Sequence, residues 1–379
     1  MRPFAVHAHP PARARGALVI ACLVAGVATL VLLAVLANAA LLALTASASP
    51  AVERFTLRGD HIEICNLAGK VRVVQGAGTR AEVLVTRGGE DADQLRIRPD
   101  EKNGKSRLHV IYPGRRVVYP RPHSWGSRTT LWVGSDGCLG KSARSSLGRR
   151  RVTIAGSGSG LRAWADIELR LPRGSRTTVR LGVGEIAAMD VEGDLVLDVA
   201  TAPVRAERTA GSLLVDTGSG SVELQGNRGD IVVDTGSGSV GLTGLRCGQL
   251  KVDTGSGSVT GRDVEAEDLL ADTGSGRVEL DDVRSGRIGV DTGSGSVQVA
   301  LLDAPKSLLV DTGSGSVTIL GPADLDAEVE IETGSGGIET DYSMKVLVKE
   351  HDSLRGTIGE GRGLIRVDTG SGSVRLQRR

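Results

Sequence analysis

Aromatic residues are nearly absent, at eight of 379 or 2%. Phe, Tyr and Trp carry much of the buried area of an ordinary compact core, so a core of that kind is excluded. Cysteine is scarce as well, with four in the chain and no C-x-x-C. Neither a structural zinc cluster nor a thioredoxin-type motif is supported. The six histidines (His7, His9, His61, His109, His123 and His351) show no ligand spacing; His61 and His109 fall at polar strand positions and are expected in solvent. Prolines number 12 against 53 glycines, the latter about twice the average share. The net charge is only +1, which excludes a generally basic nucleic-acid binder. Hydrophobic residues nevertheless make up 40%, too many for a disordered chain. A long object filled with small aliphatic side chains reconciles these shortages.

Residues 17–44 read ALVIACLVAGVATLVLLAVLANAALLAL, and no charge occurs between Ala17 and Val52. As a helix this run spans roughly 42 Å, more than a bilayer core requires. Arg2, Arg13 and Arg15 precede it, and positive flanks stay in the cytoplasm. The expectation is a cytoplasmic tail at 1–16, an anchor at 17–44, a linker at 45–54 and an extracytoplasmic remainder. Cleavage near Ala48 and secretion is the alternative, but the apolar run is nearly twice the length of a signal-peptide core.

Internal repetition dominates the rest. D-T-G-S-G begins at Asp216, Asp234, Asp253, Asp272, Asp291, Asp311 and Asp368, with E-T-G-S-G at Glu332. From Asp216 to Glu332 the spacing is 18–21 residues, and the last gap is 36. Positions −3, −1, +6 and +8 from the aspartate are apolar, as with Ile288, Val290, Val297 and Val299 around Asp291. Period-two alternation means strand. Gly-Ser-Gly breaks it, as a corner needing positive φ or close backbone approach would. Two short strands cannot bury one face alone, but stacked copies about 4.8 Å apart form a continuous core. Weaker copies centre on Asp198, Arg180 and Cys65, while Val346 and Val348 look like a degraded one. The predicted fold is therefore all-β: a β-solenoid of about ten two-strand coils over 176–379, after a transmembrane helix. Residues 55–175 would supply a first coil and a hairpin-rich insertion. The coil at Val374 and Leu376 would present an open edge unless 342–362 or another subunit covers it.

The insertion, between about Leu95 and Leu171, holds Leu108–Val110, Leu131–Val133, Val152–Ile154 and Ile167–Leu169 as hairpin segments. Five of the eight aromatics lie here. From Arg96 to Arg151 there are 14 Lys/Arg against three acids, a balance of +11; from Glu185 to Asp341 there are 29 acids against 10 bases, a balance of −19. The neutral total hides a divided molecule. Arg115, Arg116, Tyr119, Arg121, Trp125 and Arg128 form the densest basic-aromatic cluster. They are the candidate ligand-binding residues, suited to a polyanion or sugar. A solvated insertion packed on its own acidic coils is the competing view. Cys65–Cys138 is the expected disulfide, leaving Cys247 and Cys22 unpaired.

Two motifs mislead. D-T-G-S is also the active-site string of pepsin-like proteases, whose chemistry needs two carboxylates sharing one proton. Here it recurs at a structural period with the aspartate facing outward. Gly182-x-Gly184-x-x-Ala187 imitates a dinucleotide fingerprint but lacks the following helix. Stacked carboxylates about 4.8 Å apart repel by roughly 1 kcal/mol in water. Either each Asp accepts N–H bonds from its own turn, which is the structural role expected of them, or calcium lines the row.

IEICNLAGKVRVV near the start, the D-T-G-S-G-S-V rungs and the closing GTIGEGRGLIRVDTGSGSVRL resemble the adhesin-like, toastrack-type β-strand-repeat family of bacterial envelopes. The likeness covers about residues 55–379 and implies a right-handed β-solenoid-like ectodomain. It also implies an adhesion, sensing or scaffold role and offers no catalytic residues; no cofactor is expected beyond calcium on the aspartate row as the alternative. The expected partners are the membrane and an envelope protein, glycan or anionic lipid headgroup, not nucleic acid. The alternative function is a polysaccharide-acting enzyme, which needs acids and Arg/Lys converging in one cleft.

Overall fold

The structure, a computed structural model, describes residues 52–102, 104–120, 128–139 and 149–379. The tail at 1–16, the segment at 17–44, most of the 45–54 linker, Arg121 and Trp125 lie outside the described residues. Among the described residues no helix is long and apolar enough to cross a membrane, and the only helical element is a 3-10 turn at Ala92–Gln94.

The strands stack in parallel, and each coil is conveniently named by the residue in its aspartate slot. In space the column reads His109, Cys65, Arg180, Asp198, Asp216, Asp234, Asp253, Asp272, Asp291, Asp311, Asp368, Glu332. Alternation sends each coil's apolar residues inward. Leu250, Leu269, Ile288 and Leu308 form one buried row, and Val259, Val278, Val297 and Val317 another. Each fully buried Val, Leu or Ile contributes roughly 1.5–3 kcal/mol, so stacked rows replace the missing aromatics.

The coil differs from the expected pair of strands. Val240–Thr254, Val259–Thr273 and Val278–Thr292 each run unbroken from the second half of one coil into the first half of the next. They carry a third inward row, Leu245, Val264 and Val283, which Leu301 at the end of Val297–Leu301 continues. The second corner is a single left-handed residue instead of a loop, with Asp190, Arg208, Gly226, Gly244, Asp263 and Asp282 at φ between 50° and 64°. At Gly244, Asp263 and Asp282 that one residue turns the chain within a continuous strand, whereas at Asp190, Arg208 and Gly226 the strand ends at the corner.

Threonine, not aspartate, fastens the Gly-Ser-Gly corner. Thr273 Oγ1 accepts from the Gly276 N–H at 3.0 Å and donates to the Gly257 carbonyl of the preceding coil at 3.0 Å. Thr254, Thr292, Thr312, Thr333 and Thr369 do the same. Each of these hydroxyls is buried. One residue after the outward Asp, alternation turns the side chain inward, where a hydroxyl must find both partners. The glycines answer close approach: a Cβ on Gly276 would sit 1.8 Å from the Gly257 carbonyl oxygen.

Both ends depart from the repeat. At the start, Lys105–Ile111 pairs in parallel with the first half of the Cys65 coil, and Trp164–Leu171 with its second half. These segments, expected in hairpins, are the two halves of one further coil whose corner has expanded into residues 112–163. His109 consequently occupies the aspartate slot and is buried, its Nδ1 2.8 Å from the Asp136 carbonyl, instead of standing in solvent. At the other end, Gly363–Thr369 lies between Ser307–Thr312 and Ala327–Thr333, parallel to both. The last coil in sequence is thus second to last in space. Val374–Arg378 pairs with Val317–Gly321 on one side and Ile338–Thr340 on the other, so neither 342–362 nor another subunit is needed to cover an edge there. Val346 and Val348 belong to no coil either: Lys345–Lys349 runs antiparallel to Ser353–Ile358, which runs antiparallel to Ala327–Thr333 and covers that edge of the Glu332 coil.

Candidate binding face

The expanded corner builds a small separate sheet from Arg116–Val118, Arg128–Val133 and Arg150–Ala155. Its inward residues Val117, Val133, Val152 and Ile154 are buried. Leu131 and Ile154 close over Gly182 of the Arg180 coil, where a Cβ would come within 2.8 Å of the Leu131 Cδ1. Glycine there lets the sheet seat directly on the column.

Three devices pin the sheet. Tyr112 is fully buried, and its hydroxyl donates to Asn66 Oδ1 at 2.8 Å while burial pushes the phenol pKa up. Arg150 donates to the carbonyls of Tyr112 and Gly114. Cys65 and Cys138 are joined as a disulfide with Cα atoms 5.2 Å apart. Beside it Glu63 accepts from Arg180 at 2.5 Å and Arg107 at 3.2 Å, and Arg180 reaches Asp198 at 3.2 Å.

The outward side of this sheet carries Arg116, Arg128, Thr130, Trp132, Arg151 and Thr153. Cross-strand register sets Trp132 opposite Arg151, Thr130 opposite Thr153, and Thr153 opposite Arg116. Trp132 is 55% exposed, with the Arg151 guanidinium 5.1 Å from its ring centroid. Among the described residues, Arg115, Arg116, Arg128, Arg149 and Arg151 have no carboxylate within 4 Å. By contrast, Arg208, Arg246, Arg284, Arg287 and Arg362 on the coils each hold an acid. Those pairs lower the carboxyl pKa of Asp190 and Asp268, and the Arg362 backbone N–H, followed by its side chain, lowers that of Asp326.

Of the residues expected to bind, Arg115, Arg116 and Arg128 are exposed. Tyr119 is half-buried and packs its ring 5.7 Å from that of Trp164, so it supports the sheet instead of facing outward. Trp132 and Arg151 lie in the basic, aromatic insertion but outside the cluster expected to bind, although alternation in R-T-T-L-W-V places Trp132 on the side of Arg128.

The aspartate row is outward and continuous. Burial and the neighbouring charges of Asp253 and Asp291 hold the Asp272 carboxyl above its usual range, which is the repulsion expected of stacked acids. Among the described residues, Glu63, Cys65 and Cys138 are the only group of three potential ligand atoms within 4.8 Å of one another, and two of these are the disulfide sulfurs. A straight row offers an ion neighbouring carboxylates in line, not the six to eight enclosing oxygens of a calcium site. A shallow groove of about 670 Å³ over the third face is lined by Arg246, Cys247, Glu265, Arg284, Arg287 and Lys306. Its arginines are tied to acids, and burial pushes the Cys247 thiol up to about 11. A thiol so raised is a poor nucleophile at neutral pH.

The Toastrack DUF4097 family model matches residues 153–377, more than half of the chain. The chain belongs to this family. The toastrack match takes in the repeated coils and the closing segment but stops short of Arg116–Val118 and Arg128–Val133, which carry most of the arginine face. No curated protein matches the chain. Among solved structures, a "putative cell adhesion protein" from Clostridium sporogenes is similar at 12% identity. It covers 87% of this chain and 100% of its own, with a TM-score of 0.23.

Proposed function

We propose that this toastrack protein is a non-enzymatic module, anchored in the membrane by 17–44 and facing out of the cytoplasm, that binds or scaffolds a component of the cell envelope. The observation that carries this is the patch of arginines without acidic partners around the exposed Trp132. Many arginines on the coils are tied to acids, whereas here several stand together on one small sheet, and like charges gathered without acids attract a ligand of opposite sign. The Cys65–Cys138 disulfide supports an oxidising compartment. The column supplies a stiff mount for the sheet.

The test is cross-linked recovery of the full chain from its native membrane, comparing wild type with the combined change Arg116→Glu, Arg128→Glu, Arg151→Glu. Loss of envelope material from the variant, with its melting temperature retained, is the expected result. Equal recovery by both proteins would place the binding surface elsewhere. Protease digestion of intact cells checks the topology: residues 52–379 should be cut from outside.

A further inference from the structure

We infer that the outer face of the small sheet binds an anionic polysaccharide whose successive sugars carry carboxylate or sulfate groups. This rests on the binding-module proposal and names the ligand class.

The face combines three chemistries that such a polymer needs. The first is a stacking surface. Trp132 is 55% exposed and stands on a sheet, not a loop. The apolar C–H face of a pyranose ring packs on an indole as other apolar surfaces do. The second is charge at polymer spacing. Arg116, Thr153 and Thr130 lie side by side across three strands, so neighbours are roughly 5 Å apart. Arg128, Thr130 and Trp132 follow one strand at alternate positions, each step roughly 7 Å. Arg151 sits opposite Trp132. One guanidinium, that of Arg151, thus lies over the ring, and Arg128 and Arg116 stand farther along the same face, each able to take a carboxylate or sulfate in a forked pair. The third is neutral hydrogen bonding. The Thr130 and Thr153 hydroxyls are 3.4 Å apart on this same face and can exchange bonds with sugar hydroxyls.

The same features weigh against other polyanions. A membrane surface calls for several protruding apolar side chains, whereas the neighbours of Trp132 on this face are threonines and arginines. Single-stranded nucleic acid calls for a series of aromatic platforms, and the described face has one. Exposed ion pairs are individually weak and screened by salt, so affinity must come from several charges acting on one polymer with the ring fixing its position.

The experiment uses the full chain in detergent with four probes: alginate oligosaccharides, heparin, neutral dextran and phosphatidylglycerol vesicles. Binding is read by tryptophan fluorescence and calorimetry. The expected result is binding of alginate or heparin, weakening with salt, and none of dextran. Trp132→Ala should weaken it at least tenfold without moving the melting temperature, and Trp132→Phe should recover most of the loss. Arg116→Ala combined with Arg128→Ala should weaken binding and flatten its salt dependence. The inference is overturned if Trp132→Ala binds as tightly as wild type, if dextran binds as well as alginate, or if vesicles bind while both polymers are ignored. Should wild type ignore both polymers while the charge-reversed protein still loses its envelope material, the binding module stands and the polysaccharide falls.

Discussion

The Asp216 to Asp311 coils and the Cys65 coil share one strand register but stabilise themselves by opposite means. The repeated coils use identity: an aliphatic, a threonine and a glycine recur at each storey, and from Thr254 to Thr312 the corner bonds are copied from coil to coil. The Cys65 coil uses one-off parts: a buried tyrosine, a disulfide and a Glu63–Arg107–Arg180 cluster. Identity is economical, yet it repeats every charge and stacks the aspartates. Individual parts are costly in residues but allow the outer surface to differ from that of the coils, and the arginine face appears there. The comparison implies that the repeats set length and stiffness while the clad coil recognises.

The heaviest blow to the repeated region should be deletion of 363–379. Ile365, Val367, Val374 and Leu376 are fully buried between two coils, so roughly 6–12 kcal/mol of burial is lost at 1.5–3 each. Residues 322–362 should become protease-sensitive while the disulfide region survives. In the clad region, Cys65→Ser with Cys138→Ser opens a separation of 73 residues, worth about 4 kcal/mol if unfolded-chain entropy dominates. Urea unfolding should register the loss, and the Asp253 to Asp311 coils should keep their amide-exchange protection. Gly276→Ala drives a Cβ into the Gly257 carbonyl and should cost about 3 kcal/mol, the upper range for overpacking. Gly337→Ala, with nothing within 4 Å, should be near neutral by the same measurement. Thr273→Val keeps shape but strands the Gly276 N–H and the Gly257 carbonyl, costing about 2 kcal/mol, whereas Thr273→Ser should recover most of it.

The smallest effect is electrostatic and has opposite signs at two kinds of acid. Burial and the neighbouring charges of Asp253 and Asp291 raise the Asp272 carboxyl. A group raised in the folded state holds its proton more tightly there than when unfolded, so the fold gains stability as pH falls from neutral toward that range. Asp190 and Asp268 are lowered by hydrogen bonds from Arg208 and Arg287. Their contribution is present above the unfolded carboxylate range and is lost as pH falls below it. Melting curves should therefore rise slightly on mild acidification and then fall. Asp272→Asn should remove part of the rise, and high salt should mimic it.

The column was legible because a period near 19 and alternation of two jointly fix which residues face the core; even Cys65 and Arg180 fall in the aspartate slot. The threonine's role follows from the same parity, which turns the residue after each outward aspartate inward. The order at the far end was not legible. A gap of 36 residues counts as two periods, and nothing local distinguishes a further coil from an antiparallel closure. Only the consecutive Val346, Leu347 and Val348, which break alternation, hint that this stretch is no coil; Leu347 is 78% exposed. The arginine face was half legible: charge marked the region, while the strand parity that selects Trp132 over Tyr119 depends on a register that distant segments impose.

Spin-label distances along the aspartate column test its order most directly. From Asp216, Asp368 lies six coils away and Glu332 seven, about 29 and 34 Å at about 4.8 Å per step. The account requires the Asp216–Glu332 distance to exceed Asp216–Asp368 by one step, although Glu332 comes earlier in the chain. A shorter Asp216–Glu332 distance, with coils stacked in sequence order, would contradict it.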